Sequence, residues 1–124
     1  KCIRIVGNQL RGSCVWWYSQ AHCMIHPNMR FREPFGLAPV ESLLSGCPVI
    51  AWNYGAMRET IKDGATGLLV NSLEQLVQAV KDFSKADWTP EMRQKCREWA
   101  GKFSIDAMVR RYSELCSEAI AGGW

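Results

Sequence analysis

The sequence has no long hydrophobic run and almost no excess of charge. None of its apolar runs approaches the ~20 residues that span a bilayer, and a net charge of +3 in 124 residues is too small to indicate nucleic-acid binding. We therefore expect no transmembrane segment and no nucleic-acid partner. No signal peptide, internal repeat or low-complexity stretch is found. The chain opens on Lys1 rather than Met, in a strand-like run, so we expect a piece of a longer polypeptide.

Metal-site and disulfide patterns are also missing. The six cysteines are scattered, with no Cys-x-x-Cys and no paired histidine spacing, and most fall in apolar runs. We interpret them as small buried hydrophobes in a reducing compartment, in preference to disulfides or zinc ligands. The expected location is the cytoplasm, with membrane association open for the longer polypeptide.

What the sequence does contain is the composition of one small globular domain. Its 48% apolar and 22% charged residues are ordinary for a soluble fold. A chain of this length can bury a core of its own. We treat residues 1–124 as a single domain.

Residues 33–46 organise the rest of the chain as a loop that turns into a helix. Pro39 fits only the first turn, because a proline lacks the N–H that later turns need. The helix is therefore predicted to begin near Gly36, and Gly46 followed by Pro48 ends it. Glu33 then lies in the entry loop.

The start of this helix is a candidate anion site. Glu41 falls in its second turn, and the free amides of residues 35–38 are expected to point out between Glu33 and Glu41. Such an end attracts phosphate or sugar oxygens. Gly36 leaves room for a ligand to approach the backbone.

The remaining pattern indicates a parallel α/β sheet. Strands are predicted at residues 2–6, 22–26, 48–51 and 67–70, and helices at about 11–20 and 56–62 and, as a closing group, within 72–121. The closing helices have N-terminal signals at Ser72, Thr89 and Ser104, and Ser72 forms a predicted capping box with Gln75. The helix that Ser72 opens carries an apolar stripe of Leu73, Leu76, Val77, Val80 and Phe83. The fold class is α/β, a Rossmann-like parallel sheet of about four strands with helices on both faces. Complete domains of this class have about six strands, so a C-terminal portion is expected.

Four ordered segments then carry a resemblance: Glu33-Pro-Phe-Gly-Leu37 with Glu41, Gly46-Cys-Pro-Val-Ile-Ala51, Gly55-Ala-Met-Arg-Glu59 and Asp63-Gly-Ala-Thr-Gly-Leu-Leu-Val70. Together they resemble the retaining glycosyltransferases of the GT-B fold, a group that includes glycogen synthase-like and bacterial mannosyl- and glucosyltransferases. The glutamates form an E-x7-E pair. The similarity covers nearly the whole chain.

The resemblance implies that this is the C-terminal, nucleotide-sugar-binding domain. Glu33 would accept hydrogen bonds from donor-sugar hydroxyls as the catalytic residue. The amides near Phe35, Gly36 and Leu37 would meet the sugar or diphosphate, and Glu41 would bind the ribose. The implied donor is a nucleotide-sugar such as a UDP- or GDP-hexose, used without a metal or other cofactor. The absence of an Asp-x-Asp metal motif agrees with this.

The family's other parts are not found in this chain. Its phosphate-binding arginine and lysine and its N-terminal acceptor-binding domain would lie upstream, so the chain alone is expected to be inactive. Homo-oligomerisation is an open possibility. Two rival functions remain: a non-catalytic nucleotide-sugar-binding or docking module, and a sugar-nucleotide epimerase. The Glu33/Glu41 arrangement argues against the epimerase.

Several residues keep a structural interpretation beside the functional one. Glu33 could be a solvated loop acid, and Glu41 could pair with an arginine or a backbone amide. Packing or solvation is preferred for His26, Arg30, Arg32 and Glu59, and core or interdomain contact for Trp16 and Trp17. The apolar stripe of the last helix is expected to pack on this sheet or on an absent domain.

Overall fold

A computed structural model describes residues 3–28, 32–86 and 89–122. Within these ranges helices and short strands alternate before three helices close the chain. In order they are α1 (Arg11–Gln20), β1 (Met24–His26), α2 (Leu37–Leu44), β2 (Val49–Trp52), α3 (Met57–Thr60), β3 (Gly67–Val70), α4 (Leu73–Phe83), α5 (Pro90–Gly101) and α6 (Ile105–Ile120).

The described strands form one parallel sheet in the order β1-β2-β3. Ile50 in the central strand pairs with Ile25 on one side and Leu68 on the other. Val49, Ile50 and Ala51 are all buried, as expected for a parallel strand covered on both faces. The sequence prediction of an α/β fold with a parallel sheet is therefore confirmed.

Helices cover both faces of the sheet, as predicted. One core joins β2 to α2, α3 and α5 through Val40, Leu43, Val49, Ala51, Met57, Ile61, Cys96 and Ala100. The other joins β2 and β3 to α4 through Ile50, Val70, Ala79 and Phe83. Alternate residues of β2 point to opposite faces, so one short strand serves both cores.

The expectation of about four strands is corrected to three in the described part of the chain. Residues 3–6 of the predicted first strand have no strand structure, and Cys2 lies outside the described residues. Ile3 and Ile5 are 96% and 91% exposed. The alternating pattern is real, but a strand also needs a neighbour to pair with, and the described residues supply none.

Helix starts agree with the cap signals. The side chains of Ser72, Thr89 and Ser104 each accept the expected amide. One detail of the predicted capping box is wrong, because the Gln75 side chain accepts from the amide of Asn71 (2.8 Å) instead of Ser72.

The apolar stripe predicted on α4 is only partly buried. Ala79 and Phe83 are buried, whereas Leu73 and Val77 are 62% and 46% exposed. The buried part of the stripe packs with Ile50 and Val70 of the sheet.

No residue of α6 is buried. Its predicted stripe therefore does not pack on this sheet, and Ile105 and Tyr112 are 75% and 65% exposed. Trp16 and Trp17 also lie outside the core; they contact each other edge-on with ring centroids 4.7 Å apart. Among the described helices, none combines the length and apolarity needed to cross a membrane.

The cysteines divide by environment. The five described cysteines are free thiols: Cys47 and Cys96 are buried, Cys14 and Cys23 partly buried, and Cys116 exposed. The prediction of buried small hydrophobes therefore holds for Cys47 and Cys96 and is wrong for Cys116. Desolvation raises the pKa of the Cys96 thiol to about 11.

Candidate functional site

The start of α2 lies just beyond the carboxyl end of β1, and Glu33 caps it. The N-cap residue is Gly36, which has no side chain to offer. Glu33 Oε1 accepts the Gly36 amide at 3.0 Å instead. Because a helix N-terminus carries a partial positive charge, this is a favourable place for a carboxylate. No described residue bonds to Glu33 Oε2, so one oxygen of the half-buried acid stays available to a ligand.

Glycine is required at position 36 for two reasons. Its backbone has φ +86°, in the left-handed region. A Cβ there would also overlap the terminal methyl of Met57, which is 2% exposed in the core. Met57 of the protein itself lies against this position, and the predicted approach of a ligand to the Gly36 backbone stays a prediction.

A second loop holds Glu33 from the other side. The amide of Ala56, between β2 and α3, donates to the Glu33 carbonyl at 3.1 Å. A Cβ on Gly55 would lie only 3.0 Å from the same oxygen. Gly55 has φ +60°, whereas Ala56 has an ordinary φ of −67°. A side chain is therefore compatible with the backbone at Ala56, whereas the left-handed backbone at Gly55 favours glycine.

The prediction of four free amides at this helix end needs one correction. The Gly36 amide is occupied by Glu33. The first amides of a helix have no intrahelical acceptor, and no hydrogen bond from the amides of Phe35, Leu37 or Ala38 to a described residue is present. Three donors therefore remain at this edge of the sheet.

Phe35 and Leu37 project from the same helix end. The Phe35 ring meets Phe103 edge-on at 5.8 Å between centroids, which ties the loop to the end of α5. Leu37 is 65% exposed. Any contribution of these two residues to a polar ligand comes from their backbones.

Glu41 is bound by Arg11, thirty residues away in the sequence. Arg11 Nη2 and Nε lie 2.7 and 3.2 Å from Glu41 Oε1, and this bond and the Glu41 charge raise the pKa of Arg11. Glu41 is partly buried, as predicted, with 33% of its side chain exposed. Its partner is an arginine, which is one of the two structural partners expected for Glu41 from the sequence. Oε2 accepts no hydrogen bond from the described residues.

Two arginines stand beside the loop after β2. Arg32 Nε lies 3.3 Å from the Tyr54 hydroxyl, and its guanidinium lies over the Tyr54 ring. Arg58 bonds to the side chain and carbonyl of Asn53 at 2.9 and 3.0 Å. Arg58 is not among the residues predicted from the sequence, and no local signal marks it. Arg30 lies outside the described residues.

His26 and Glu59 complete the inventory of predicted residues. His26 ends β1 opposite Ala51, and its buried Nε2 has no hydrogen-bond partner among the residues that the structure describes. Glu59 lies exposed in α3. The structure brings together Glu33, Phe35, Gly36 and Leu37 at the start of α2, with Glu41 farther along the same helix.

Comparison with known proteins shows which family the chain belongs to. The sequence profile described as "Glycosyl transferases group 1" matches residues 3–103. The chain belongs to this glycosyltransferase family. The match spans the sheet, both cores and every candidate site residue.

Individual relatives carry glycosyltransferase names. A D-inositol 3-phosphate glycosyltransferase of Streptomyces coelicolor is 29% identical over 84% of the chain and 23% of that protein. An alpha-1,3/1,6-mannosyltransferase ALG2 of Dictyostelium discoideum is 40% identical over 57% of the chain and 15% of that protein. An uncharacterised 41.2 kDa protein in the cps region of Klebsiella pneumoniae is 40% identical over 67% of the chain. The chain thus spans about a quarter or less of the relatives it matches.

Proposed function

We propose that this chain is the donor-binding part of a retaining glycosyltransferase that uses a nucleotide-sugar such as a UDP- or GDP-hexose. The observation that carries the proposal is the Glu33 carboxylate, which two loops hold at the start of α2 with one oxygen free. Membership of the glycosyltransferase family supports it. Retention and the nucleotide class follow the resemblance.

In this proposal Glu33 is the catalytic residue that contacts the donor sugar. An ionised carboxylate only accepts hydrogen bonds, which suits sugar hydroxyls. The amides of Phe35, Leu37 and Ala38 would donate hydrogen bonds to the diphosphate oxygens, since free amides at a helix N-terminus bind anions. Gly36 contributes through its occupied amide, because that bond fixes the direction of Glu33.

Glu41 is proposed to bind the ribose of the donor. Its Oε2 is open for a hydroxyl, while Oε1 is held by Arg11. Gly36 and Glu41 are five residues apart on one helix, which corresponds to about 7.5 Å along its axis. One helix would therefore meet the donor near the sugar and again at the nucleoside.

The rest of the reaction depends on parts beyond this chain. Breaking the sugar–phosphate bond develops charge on the diphosphate, and stabilising that charge is usually the largest catalytic term. We propose that helix amides and protein cations do this without a metal. An acceptor-binding domain elsewhere in the polypeptide would complete an enzyme of polysaccharide or glycoconjugate biosynthesis that acts in the cytoplasm, and this chain alone would not turn over.

The test is calorimetric titration of the intact protein with UDP, GDP, ADP and their glucose and mannose conjugates. Glu33→Gln should weaken binding of the sugar conjugate while leaving the free nucleotide unchanged. A lost hydrogen bond to a charged acceptor is worth about 1.5–3 kcal/mol, or roughly 10- to 100-fold. Glu41→Gln should weaken free nucleotide and conjugate alike.

Glu98→Gln is the matched control, because Glu98 is an exposed glutamate of α5 that belongs to neither predicted site. Folded protein that binds no nucleotide would contradict the proposal. Binding without sugar transfer by the full polypeptide that carries the acceptor-binding domain would favour the non-catalytic module. Conversion of one nucleotide-sugar into another, without release of free nucleotide diphosphate, would favour the epimerase.

A further inference from the structure

A pocket of about 320 Å³ lies where β2 and β3 end, at the carboxyl edge of the sheet. It is lined by Trp52, Asn53, Tyr54, Val70 and Asn71. Trp52 and Val70 are the last residues of the two strands, and the other three lie in the loops that follow. Its volume is at the lower end of the range for small-molecule sites, about 300–1,000 Å³.

The lining of this pocket is neutral. None of its five side chains carries a formal charge. Trp52 and Tyr54 supply aromatic surface, while the amides of Asn53 and Asn71 can both donate and accept hydrogen bonds. An anion that left water for this pocket would meet no cation among the lining side chains, which is unfavourable. The lining therefore favours an uncharged ligand with both apolar and hydroxyl-bearing surfaces.

Hydrogen bonds hold the Asn53 side of the pocket in place. The Asn53 amide donates to the Val70 carbonyl at 2.9 Å, and Arg58 Nε donates to Asn53 Oδ1 at 2.9 Å. A guanidinium has no acceptor, so the side-chain atom that faces Arg58 must be the oxygen. The NH₂ group of Asn53 makes no hydrogen bond to a described residue, and it stays free to donate to a ligand.

The other polar groups of the lining are also open. The Tyr54 hydroxyl accepts from Arg32 Nε at 3.3 Å and keeps its own proton to donate. Asn71 uses its backbone amide to bond Gln75, whereas its side chain bonds to none of the residues that the structure describes. Several neutral donors and acceptors thus surround two aromatic rings.

A sugar ring has the matching chemistry. One face of a pyranose presents C–H groups, which pack well on an aromatic face because that face carries partial negative charge. Each sugar hydroxyl both donates and accepts, as the open groups of this pocket require. A planar nucleobase fits less well, because the Arg32 guanidinium already lies over the Tyr54 ring.

The pocket is close to Glu33 but distinct from the proposed donor contacts. The loop that carries Asn53 and Tyr54 continues to Ala56, whose amide bonds the Glu33 carbonyl. Neighbouring strands lie about 4.8 Å apart. The ends of β2 and β3 are therefore roughly 5 and 10 Å along the sheet edge from the end of β1, which Glu33 and α2 follow.

We propose that the pocket at the ends of β2 and β3 binds a neutral sugar residue of the acceptor glycan. This inference rests on the proposed function. It gives this chain a contact with the acceptor in addition to those expected from the acceptor-binding domain.

The experiment measures binding of the methyl glycosides of glucose, mannose and galactose to the intact protein by saturation-transfer NMR, with and without UDP, GDP or ADP. Tyr54→Ala should weaken the best glycoside about tenfold, the scale of roughly 50 Å² of lost apolar contact. Asn71→Ala should weaken it about fivefold, the scale of one neutral hydrogen bond. Tyr112→Ala is the matched control, because Tyr112 is an exposed tyrosine of α6, and it should change nothing.

A further variant separates this pocket from the donor site. Glu33→Gln should leave glycoside binding unchanged, and Tyr54→Ala should leave nucleotide binding unchanged. Folded protein that binds a nucleotide but none of the three glycosides would overturn this inference alone. So would glycoside binding that is lost in Glu33→Gln but kept in Tyr54→Ala and Asn71→Ala, or nucleotide binding that Tyr54→Ala weakens. Folded protein that binds neither nucleotides nor glycosides would contradict the proposed function as well.

Discussion

Glu33 at the start of α2 and Glu41 within it are both half-buried, yet different kinds of partner hold them. Glu33 is held through the backbone: its side chain accepts the Gly36 amide and its carbonyl accepts the Ala56 amide. Glu41 is held by Arg11, a long side chain that is mostly in water. The first acid is placed by the fold, and the second by an ion pair that salt and substitution can change.

The two sides of α2 differ in the same way. The Glu33 side packs on the sheet through Val40 and Leu43, which are 4% and 0% exposed. The Glu41 side faces the α1–α2 groove, a groove between these helices that Cys14, Val15 and Leu44 also line. We infer that the protein keeps Glu33 rigid and leaves Glu41 adjustable.

The largest expected effect is a loss of stability on substitution of Gly36, at the rigidly held start of α2. Gly36→Ala should lower the free energy of unfolding by about 2–3 kcal/mol, because left-handed backbone costs an alanine about 1–2 kcal/mol and the new Cβ displaces the Met57 methyl. Thermal or urea unfolding followed by circular dichroism measures it. Gly12→Ala is the control, since Gly12 lies in α1 with open space around its Cβ position. Equal effects at Gly12 and Gly36 would contradict the proposed rigidity.

The buried thiol of Cys96 provides a test of the buried side of α2. The pKa of Cys96 is raised to about 11 by burial, so the unfolded chain loses this proton first. The contribution of this protonated thiol to the free energy of unfolding is fully present below pH 9. It falls, on the order of 2 kcal/mol, as pH rises from 9 towards 11. Cys96→Ala should flatten that part of the pH–stability profile. An unchanged slope in the variant would show that other groups cause it.

Labelling extends this test to the groove. Cys14 is partly exposed and lines the groove, whereas Cys47 and Cys96 are buried. A maleimide at pH 7.5 should therefore modify Cys14 well before Cys47 or Cys96, and bound nucleotide should slow the Cys14 reaction. Mass spectrometry of tryptic peptides reads each site. Cys14 labelling that is indifferent to a nucleotide known to bind would place that ligand elsewhere.

The smallest expected effects compare the two acids in stability. Glu33→Ala removes a helix cap and should cost about 1 kcal/mol. Glu41→Ala breaks an ion pair whose arginine is mostly in water, and should cost less than Glu33→Ala because water screens the pair. Unfolding in urea at low and high salt measures both, and only the Glu41–Arg11 contribution should shrink with salt. A larger loss at Glu41 than at Glu33 would reverse the comparison.

Local signals in the sequence were enough to locate most of the elements. Pro39 and Gly46 defined α2, and Ser72, Thr89 and Ser104 marked helix starts. Each of these signals depends on backbone groups within a few residues. The Glu33–Gly36 cap spans only three residues and was in principle readable as well.

Contacts between distant segments were not predictable in this way. Nothing near Arg11 or Glu41 in the sequence indicates that they pair, because their meeting depends on how α1 packs beside α2. The failed strand at residues 3–6 has the same cause, since pairing requires a neighbour that periodicity cannot supply. The apolar stripe of α6 likewise revealed a helix but not what would cover it.

The Ala56–Glu33 bond also constrains how the chain can vary in length. It joins a loop that follows β2 to a loop that follows β1, so residues 53–56 act as a spacer of fixed size between the sheet and the acid. One inserted residue there would shift Ala56 along its path and move Glu33 with it. No such hydrogen bond to another loop is made by the described residues of the connection from α4 to α5, and insertions are expected to be tolerated there. Among natural variants of this fold, loop length after β2 should therefore vary less than loop length after α4.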